Sequence, residues 1–461
     1  MMSDEVPTFR NGLLSIYQSA VDDFARATQP PSTLSGSAAP PPRPGLEHGF
    51  VRAGVAAALT RMDDKAAALN ARMRMPPPQD SRRDCAELGL RYLEAAAKGD
   101  HADAAALKDN LRFSQCDAMW IQTLDKYLKY FGPGGGLRTI PYVPAAAVGN
   151  RVIDMPPDAC IAVVADWGTG SDAAVALLKS IAAKNPTIVI HLGDIYYSGT
   201  ATECSTYFQR IVDMVLDRAR TKIPIYTLSG NHDMYSGGAG YYDLLAALND
   251  PPQRQPASFF CLRATDQSWQ FIAMDTGLHD HNPFDVSGAL TYLEHDEEDW
   301  HAARIGEFPG RTILLSHHQL FSAFSRIGPA GPDGRGNPCN PPLLKSLQRF
   351  QAAAPGRVAA WLWGHEHNLC IYQPYAGLDC GRCIGHGAVP VFDSEAPYAP
   401  LPDLPDPPQL VAETQLPSKN DLYAHGYAMV TLGGATARID YFEDTDFAAP
   451  TYSETLPLAT A

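Results

Sequence analysis

Side chains that commonly bind metal ions follow several short apolar runs in the second half of the chain. These runs read CIAVVAD, TIVIHLGD, IPIYTLSGN, RTILLSH and VAAWLWGHEH. The polar residues at or just beyond their ends are Asp166, Asp194, Tyr197, Asn231, His317, His365 and His367. Ligands of open α/β sheets gather outside the carboxyl ends of the strands. Five such ends in one chain therefore predict a common binding site.

The types of these side chains indicate which ligand they would hold. Carboxylate, amide, imidazole and phenol groups suit Fe, Mn and Zn ions, and no cysteine is among them. Seven ligands are too many for one tetrahedral site, but they suit two metals that share a carboxylate. A metal pair of this kind can clamp an in-line phosphoryl displacement. The residues therefore predict a two-metal phosphoesterase.

The elements that position these residues are short strands. Their continuous apolar character is typical of strands that are buried on both faces, and helical or loop segments separate several of them. The later runs LCIYQPY, YAMVTL and ATARIDYF follow one another closely, which suggests an antiparallel portion. The predicted fold class is α/β, with two packed mixed β-sheets flanked by helices over residues 151–446.

The rest of the chain is divided by composition. Residues 1–45 are predicted to be an N-terminal segment that ends in a Pro-rich linker, because TQPPSTLSGSAAPPPRP lacks the apolar residues of a core. Residues 46–150 contain Ala-rich runs with helical spacing and predict a helical N-terminal domain of unknown partner. Residues 447–461 are predicted to be a C-terminal tail.

The charge of the chain limits its partners. It has 36 Lys and Arg against 51 Asp and Glu, a formal net charge of −15. Duplex nucleic acid and anionic membranes require basic patches, so neither is an expected partner. No apolar run is long enough for a signal peptide or a membrane span. We expect a cytoplasmic location, with a secreted or periplasmic one as the alternative.

Five sequence blocks resemble the motifs of the calcineurin-like metallophosphoesterases. In order they are Asp166–Gly168, Gly193–Tyr197, Gly230–Asp233, Leu314–His317 and Gly364–His367, and the resemblance covers about residues 158–390. Most members of that superfamily have His two residues after the first Asp, where this chain has Gly168. Together with Tyr197, three residues after Asp194, this exchange resembles the purple acid phosphatase pattern.

The resemblance implies a role for each matching residue. One metal, expected to be Fe(III), would be held by Asp166, Tyr197 and His367. The second, Fe(II), Zn or Mn, would be held by Asn231, His317 and His365. Asp194 would bridge the two, a metal-bound hydroxide would be the nucleophile, and His232 would contact the phosphate or protonate the leaving group.

Some assignments leave alternatives open. The fourth block contains adjacent histidines, and His317 is preferred to His318 as the ligand because HHQLFS aligns best that way. His318 would then point to the substrate or into the core. His279 and His281 are candidates for the substrate mouth, with a solvated loop as the alternative. Asp275 is a candidate for orienting a ligand histidine, and His191 is expected to be a core residue.

The predicted activity is hydrolysis of a small-molecule phosphate ester, most simply a monoester. A phosphodiesterase that acts on nucleotides or lipid headgroups would use the same metal pair. A third possibility is an interaction protein with a vestigial metal domain, but the presence of all seven ligands argues against it.

Overall fold

The computed structural model describes residues 139–457, apart from 282–289, 332–333 and 420–421, together with the helical residues 102, 106, 126, 127 and 129–131. The chain forms two compact units, residues 1–121 and residues 122–461. The predicted N-terminal segment and most of the predicted helical domain lie outside the described residues. The description below concerns the second unit.

The first sheet has seven strands in the order β1-β5-β6-β7-β8-β10-β9. Its strands are β1 (Ile153–Met155), β5 (Phe260–Ala264), β6 (Trp269–Ala273), β7 (Arg311–Leu315), β8 (Val358–Trp363), β9 (Leu369–Ile371) and β10 (Gly381–Ile384). All neighbours are parallel except the pairs β5–β6 and β9–β10.

The second sheet has six strands in the order β15-β14-β13-β2-β3-β4. Its strands are β2 (Cys160–Val164), β3 (Ile188–His191), β4 (Ile225–Thr227), β13 (Gly426–Gly433), β14 (Thr436–Glu443) and β15 (Tyr452–Pro457). Strands β2, β3 and β4 are parallel, whereas the pairs that involve β13, β14 and β15 are antiparallel. A separate short hairpin pairs β11 (Ser418–Lys419) with β12 (Leu422–Tyr423).

The numbered helices are α1 (Ala145–Val148), α2 (Asp172–Ala183), α3 (Ala201–Glu203), α4 (Arg210–Val215), α5 (Arg218–Thr221), α6 (Asn231–Met234), α7 (Ala239–Leu248), α8 (His295–Glu307) and α9 (Pro341–Ala353). Helix α1 precedes β1, and the other helices lie between strands in sequence. A π-helical turn, Cys204–Gln209, joins α3 to α4, and Asp393–Glu395 form a 3₁₀ turn. Ser171 caps the N-terminus of α2, because its hydroxyl accepts a hydrogen bond from the Ala174 N–H.

The apolar side chains form three layers of core. Between the two sheets, residues such as Val163 and Ile190 of one sheet share a cluster with Phe271 of the other. The outer face of the first sheet packs against α8 and α9. The outer face of the second packs against α2 and α4. Two packed mixed sheets flanked by helices are thus confirmed, and burial on both faces explains why the strands are apolar throughout.

The ends of the predicted catalytic region differ from the sequence-based division. The predicted tail 447–461 contains β15, which pairs with β14 from Tyr441↔Tyr452 to Thr436↔Pro457. Before residue 151, helix α1 buries Ala145 and Val148 in the core on the outer face of the first sheet. Segments as short as α1 and β15 show little hydrophobic periodicity in the sequence. Their structure depends on pairing with a neighbouring strand or on burial in the core. Among the described residues, no helix is long and apolar enough to cross a bilayer.

Candidate metal centre

The candidate ligands lie on loops that leave neighbouring parallel strands. Asp166, Asp194 and Asn231 follow β2, β3 and β4, which are adjacent in the second sheet. His317 and His365 follow β7 and β8, which are adjacent in the first sheet. Because the carboxyl ends of parallel strands face the same way, the two sheets bring these loops together at one edge.

Two glycines allow these loops to approach one another. A Cβ on Gly193, whose φ is 110°, would lie 2.8 Å from both the Gly230 nitrogen and His317 Nδ1. A Cβ on Gly230 would lie 2.0 Å from Asp194 Oδ1. Any side chain at either position would therefore displace a candidate ligand.

Three candidate ligands have left-handed backbone conformations. The φ angles are 52° for Asp166, 76° for Asp194 and 69° for His365. Non-glycine residues rarely adopt positive φ, and they retain it where surrounding contacts hold the loop. Asp233 makes such contacts, because its carboxylate accepts hydrogen bonds from the backbone N–H groups of Asp194 (3.0 Å), Ile195 (3.2 Å) and Gly230 (2.8 Å).

The first cluster of donors contains Asp166, Asp194 and His367, with one ligand atom of each within 4.8 Å of the others. The hydroxyl group of Tyr196 lies at its centre. It is 3.2 Å from Asp166 Oδ1, 3.1 Å from Asp194 Oδ2 and 3.1 Å from His367 Nε2. A phenol oxygen, two carboxylates and an imidazole form a donor set suited to a hard or borderline cation.

The structure brings the neighbour of the predicted tyrosine ligand to this cluster, and the ligand role of Tyr197 stays a prediction. The sequence pattern selected Tyr197, but the hydroxyl that contacts Asp166, Asp194 and His367 belongs to Tyr196. Tyr197 is buried; its N–H donates to Glu203 Oε1 (2.8 Å) and its carbonyl accepts from His232 Nδ1 (2.8 Å). Spacing alone could not separate the two, because the direction of each ring depends on the path of the loop after β3.

The second cluster contains Asn231, His317 and His365. Asn231 Oδ1 lies 3.1 Å from both His317 Nε2 and His365 Nδ1, and these two nitrogens are 3.3 Å apart. The Asn231 amide donates to the Tyr235 hydroxyl at 2.5 Å, which directs its oxygen toward the histidines. His317 Nε2 is also 3.4 Å from Asp194 Oδ2. Asp194 therefore contacts both clusters, the position that a bridging ligand requires.

The adjacent histidines point to different partners. His317 Nδ1 donates to the Leu192 carbonyl at 3.0 Å, so Nε2 faces Asn231 and Asp194. His318 Nε2 lies 3.1 Å from Asp280 Oδ2, and its Nδ1 lies 3.1 Å from Thr276 Oγ1. His318 also lies near His317 and His365 in a three-histidine group. The structure thus brings His317 to the predicted ligands and places His318 beside them.

The remaining candidate substrate residues lie at different places. The N–H of His232 donates to Asp194 Oδ1 at 3.0 Å, and its Nε2 is 4.0 Å from Asp194 Oδ2. His279 stacks on Tyr292 and lies 2.8 Å from Glu294 Oε1. His281 Nδ1 donates to the Leu278 carbonyl at 3.3 Å. The residue of this loop that reaches the histidines is Asp280, which the sequence pattern did not reveal because it belongs to no block.

Asp275 and His191 lie close to the site but outside the two clusters: Asp275 forms hydrogen bonds between loops, and His191 packs in the core. Asp275 Oδ1 accepts from the Ser229 hydroxyl at 2.5 Å and from the Leu278 N–H at 3.0 Å. It therefore holds the loops of Asn231 and Asp280, and its hydrogen bonds among the described residues include no ligand histidine. His191 is buried against Trp167 and Phe208 in the core, as expected.

Electrostatics at the site favour a bound cation. Burial raises the pKa of the Asp194 carboxyl well above its usual range, and the carboxylates of Asp166 and Asp233 raise it further. Burial lowers the pKa of His365 to about 3 and that of His317 below its usual range. Neutral imidazoles are ready ligands, and a cation would offset the repulsion between the carboxylates. The residues therefore fit a binuclear metal centre.

Comparison with known proteins shows which family this region is similar to. The profile of the calcineurin-like phosphoesterase family matches residues 160–369, which include all seven predicted ligands. Tartrate-resistant acid phosphatase type 5 of Mus musculus is 24% identical over 236 residues, 47% of this chain and 68% of that protein. The Homo sapiens protein of the same name is 26% identical over 240 residues, which are 47% of this chain and 69% of that protein.

Among solved structures, GAP50, described as the anchor in the inner membrane complex of Plasmodium, is 12% identical with a TM-score of 0.42. That alignment covers 66% of this chain and 90% of GAP50. The family match over residues 160–369 shows which domain the chain contains. It contains a calcineurin-like metallophosphoesterase domain and is distantly similar to tartrate-resistant acid phosphatase, a purple acid phosphatase.

Proposed function

We propose that this protein is a two-metal phosphomonoesterase of the purple acid phosphatase type. The observation that carries the proposal is the position of Asp194, whose Oδ2 lies 3.1 Å from the Tyr196 hydroxyl and 3.4 Å from His317 Nε2. One carboxylate oxygen thus reaches a residue of each ligand cluster. A single-metal or structural site has no need for such a shared group.

Each cluster would hold one cation. Asp166, Asp194, His367 and a tyrosine of the pair Tyr196–Tyr197 would hold Fe(III), because phenolate and carboxylate are hard ligands. Asn231, Asp194, His317 and His365 would hold a divalent Fe, Zn or Mn ion. Such a pair supplies Lewis-acid polarisation of a phosphate ester and acidifies water.

His232 is the proposed proton donor to the leaving group. Its backbone N–H donates to Asp194 Oδ1, and its Nδ1–H donates to the Tyr197 carbonyl. Its Nε2 lies 4.0 Å from Asp194 Oδ2 and would carry the transferable proton. Burial lowers the pKa of His232 to about 3. A phosphate dianion beside Nε2 would favour the protonated form, so that the imidazolium would be available as a general acid.

The proposal is tested by comparing a monoester with its matching diester. Metal-loaded protein should hydrolyse phenyl phosphate with a higher kcat/KM than diphenyl phosphate. The reverse preference would indicate a phosphodiesterase with the same metal pair. If protein that contains two metals per chain hydrolyses neither ester, both the phosphomonoesterase and the phosphodiesterase are excluded. The remaining interpretation is then an interaction protein with a vestigial metal domain.

A further inference from the structure

A short aromatic segment precedes the region that matches the phosphoesterase family. It consists of the helical residues Tyr127, Tyr130 and Phe131, and the ring centroid of Phe131 lies 5.1 Å from that of Tyr127 and 4.6 Å from that of Tyr130. The family match begins at residue 160, so the segment lies outside it. All three residues are half-buried. Two of them, Tyr130 and Phe131, contact loops that border the candidate metal centre.

Tyr130 packs on the turn 235–238, which joins α6 to α7. A Cβ on Gly237 would lie 1.9 Å from Tyr130 Cζ and 2.2 Å from each Cε atom, so the ring occupies the space that a side chain would need. The Gly237 N–H donates to the Met234 carbonyl at 2.9 Å, and Met234 is the last residue of α6. The Tyr130 hydroxyl donates to the Thr139 carbonyl at 3.1 Å, which helps to hold the ring over the turn.

Phe131 packs on a different loop. Its ring centroid lies 4.8 Å from that of His281, and the two planes are tilted by 36°. His281 follows Asp280, whose Oδ2 lies 3.1 Å from His318 Nε2. Tyr130 and Phe131 thus contact two separate loops beside the second ligand cluster, and the segment joins these loops.

The turn under Tyr130 carries a residue that contacts the proposed proton donor. This residue is Tyr235, whose ring centroid lies 4.7 Å from that of His232. On the donor itself, the His232 ring also lies 4.5 Å from the ring of Tyr196, and its Nδ1 is held by the Tyr197 carbonyl. The contacts therefore run from Tyr130 through the turn and Tyr235 to the His232 imidazole.

Resting on the proposed phosphomonoesterase function, we infer that Tyr130 is a positioning residue for His232. In that reaction the proton on His232 Nε2 goes to the ester oxygen as the P–O bond breaks, which requires Nε2 within hydrogen-bond reach of this oxygen. Without the Tyr130 ring the turn opens locally more often, because it loses a packing partner. The His232 ring then spends less time in the orientation that donates the proton.

The first test compares phenyl phosphate with 4-nitrophenyl phosphate in protein that holds two metals per chain. Phenolate is the stronger base and depends more on a proton donor than 4-nitrophenolate does. Tyr130→Ala should lower kcat/KM about tenfold for phenyl phosphate and about threefold or less for the nitro ester. Tyr130→Phe keeps the ring over the turn, and it should keep the ratio of the two values near that of the wild type. A purely structural defect would lower both values equally.

The second test measures hydrogen exchange by mass spectrometry and requires no catalysis. Backbone amides of residues 231–238 should exchange about tenfold faster in Tyr130→Ala than in the wild type or in Tyr130→Phe. Amides of helix α8 should exchange at the wild-type rate in all three proteins, because α8 lies on the outer face of the first sheet. Unchanged exchange at residues 231–238 would show that Tyr130 does not hold the turn.

Gly237→Ala reaches the same contact from its other side. The added methyl group would collide with the Tyr130 ring, so this variant should lower the ester ratio and speed exchange as Tyr130→Ala does. Gly356→Ala is the matched control. Gly356 also has positive φ, 71° against 84° for Gly237, but none of the described non-neighbouring atoms lies within 4 Å of its Cβ position. It should therefore show the backbone strain without the change in ratio or in exchange at residues 231–238.

The outcomes separate this inference from the function on which it rests. An unchanged ester ratio in Tyr130→Ala, an equal loss for both esters, or loss of the second metal from that variant would overturn the positioning role alone. Hydrolysis of no monoester by the wild-type two-metal protein would overturn the proposed function and, with it, the role in proton donation.

Discussion

Asp194 Oδ2 lies 3.4 Å from His317 Nε2, although the two residues leave strands of different sheets. The contact exists because the loop after β3 and the loop after β7 meet at the same edge of the sandwich. Neither sheet by itself contains a complete set of ligands for two metals. The packing of one sheet on the other is therefore what creates the proposed binuclear centre.

Asp194→Asn should abolish activity and lower the metal content of the protein. Loss of an outer hydrogen-bond partner typically costs 10- to 100-fold in metal affinity, so loss of a shared ligand should cost at least about 100-fold. The measurements are metal analysis after dialysis and kcat for phenyl phosphate. The exposed Asp250→Asn is the control and should behave as wild type. Wild-type turnover in Asp194→Asn would refute the bridging role.

The two adjacent tyrosines predict different spectra for their variants. If the Tyr196 hydroxyl binds Fe(III), as its contacts with Asp166 and Asp194 suggest, Tyr196→Phe should lose the visible charge-transfer band of the iron-loaded protein. Tyr197→Phe should then retain it. Loss of the band in Tyr197→Phe alone would restore the assignment expected from sequence spacing. An active, iron-loaded wild-type protein without colour would contradict a tyrosinate ligand altogether.

His317 and His318 should differ in metal stoichiometry. His317→Ala removes the nitrogen that faces Asn231 Oδ1, and it should leave about one metal per chain instead of two. His318→Ala should retain both metals, because the His318 nitrogens contact Asp280 and Thr276. Its expected effect is a roughly tenfold or greater loss of kcat through its contact with the neighbouring histidines. Retention of two metals in His317→Ala would indicate that His318 is the ligand.

Asp233→Ala should destabilise the fold as well as the site. The carboxylate accepts from three backbone N–H groups, and each buried donor left unpaired costs about 1–3 kcal/mol. The free energy of unfolding in urea should fall by at least about 3 kcal/mol. Asp233→Asn keeps one acceptor oxygen and should lose less. Equal stability of Asp233→Ala and the wild type would show that these loops are held by other contacts.

The buried His191 predicts loss of stability in acid. Burial lowers its pKa in the folded protein from 6.5 to about 3. Its contribution is therefore complete above pH 6.5 and is lost as the pH falls toward 3, by about 1.4 kcal/mol per pH unit. His191→Asn should reduce the difference in unfolding free energy between pH 7 and pH 5. The same substitution at the exposed His295 should leave that difference unchanged.

The sequence determined the class of fold and the loops that form the site. Continuous apolar runs of this length favour strands that are buried on both faces, and ligand-type side chains at their ends are expected to meet at the carboxyl edge of a sheet. Asp166, Asp194, Asn231, His365 and His367 therefore lie in the two clusters where the strand-end pattern predicted a shared site.

Only the tertiary structure placed the Tyr196 hydroxyl beside Asp166 and His317 Nε2 beside Asn231. Tyr196 and Tyr197 have the same chemistry, as do His317 and His318, and their directions depend on loop paths that no spacing rule specifies. Asp280 lies in no sequence block, and it reaches His318 because its loop packs on the loop of Asn231. Side-chain type is a local property of the sequence, whereas side-chain direction is set by backbone contacts between distant segments.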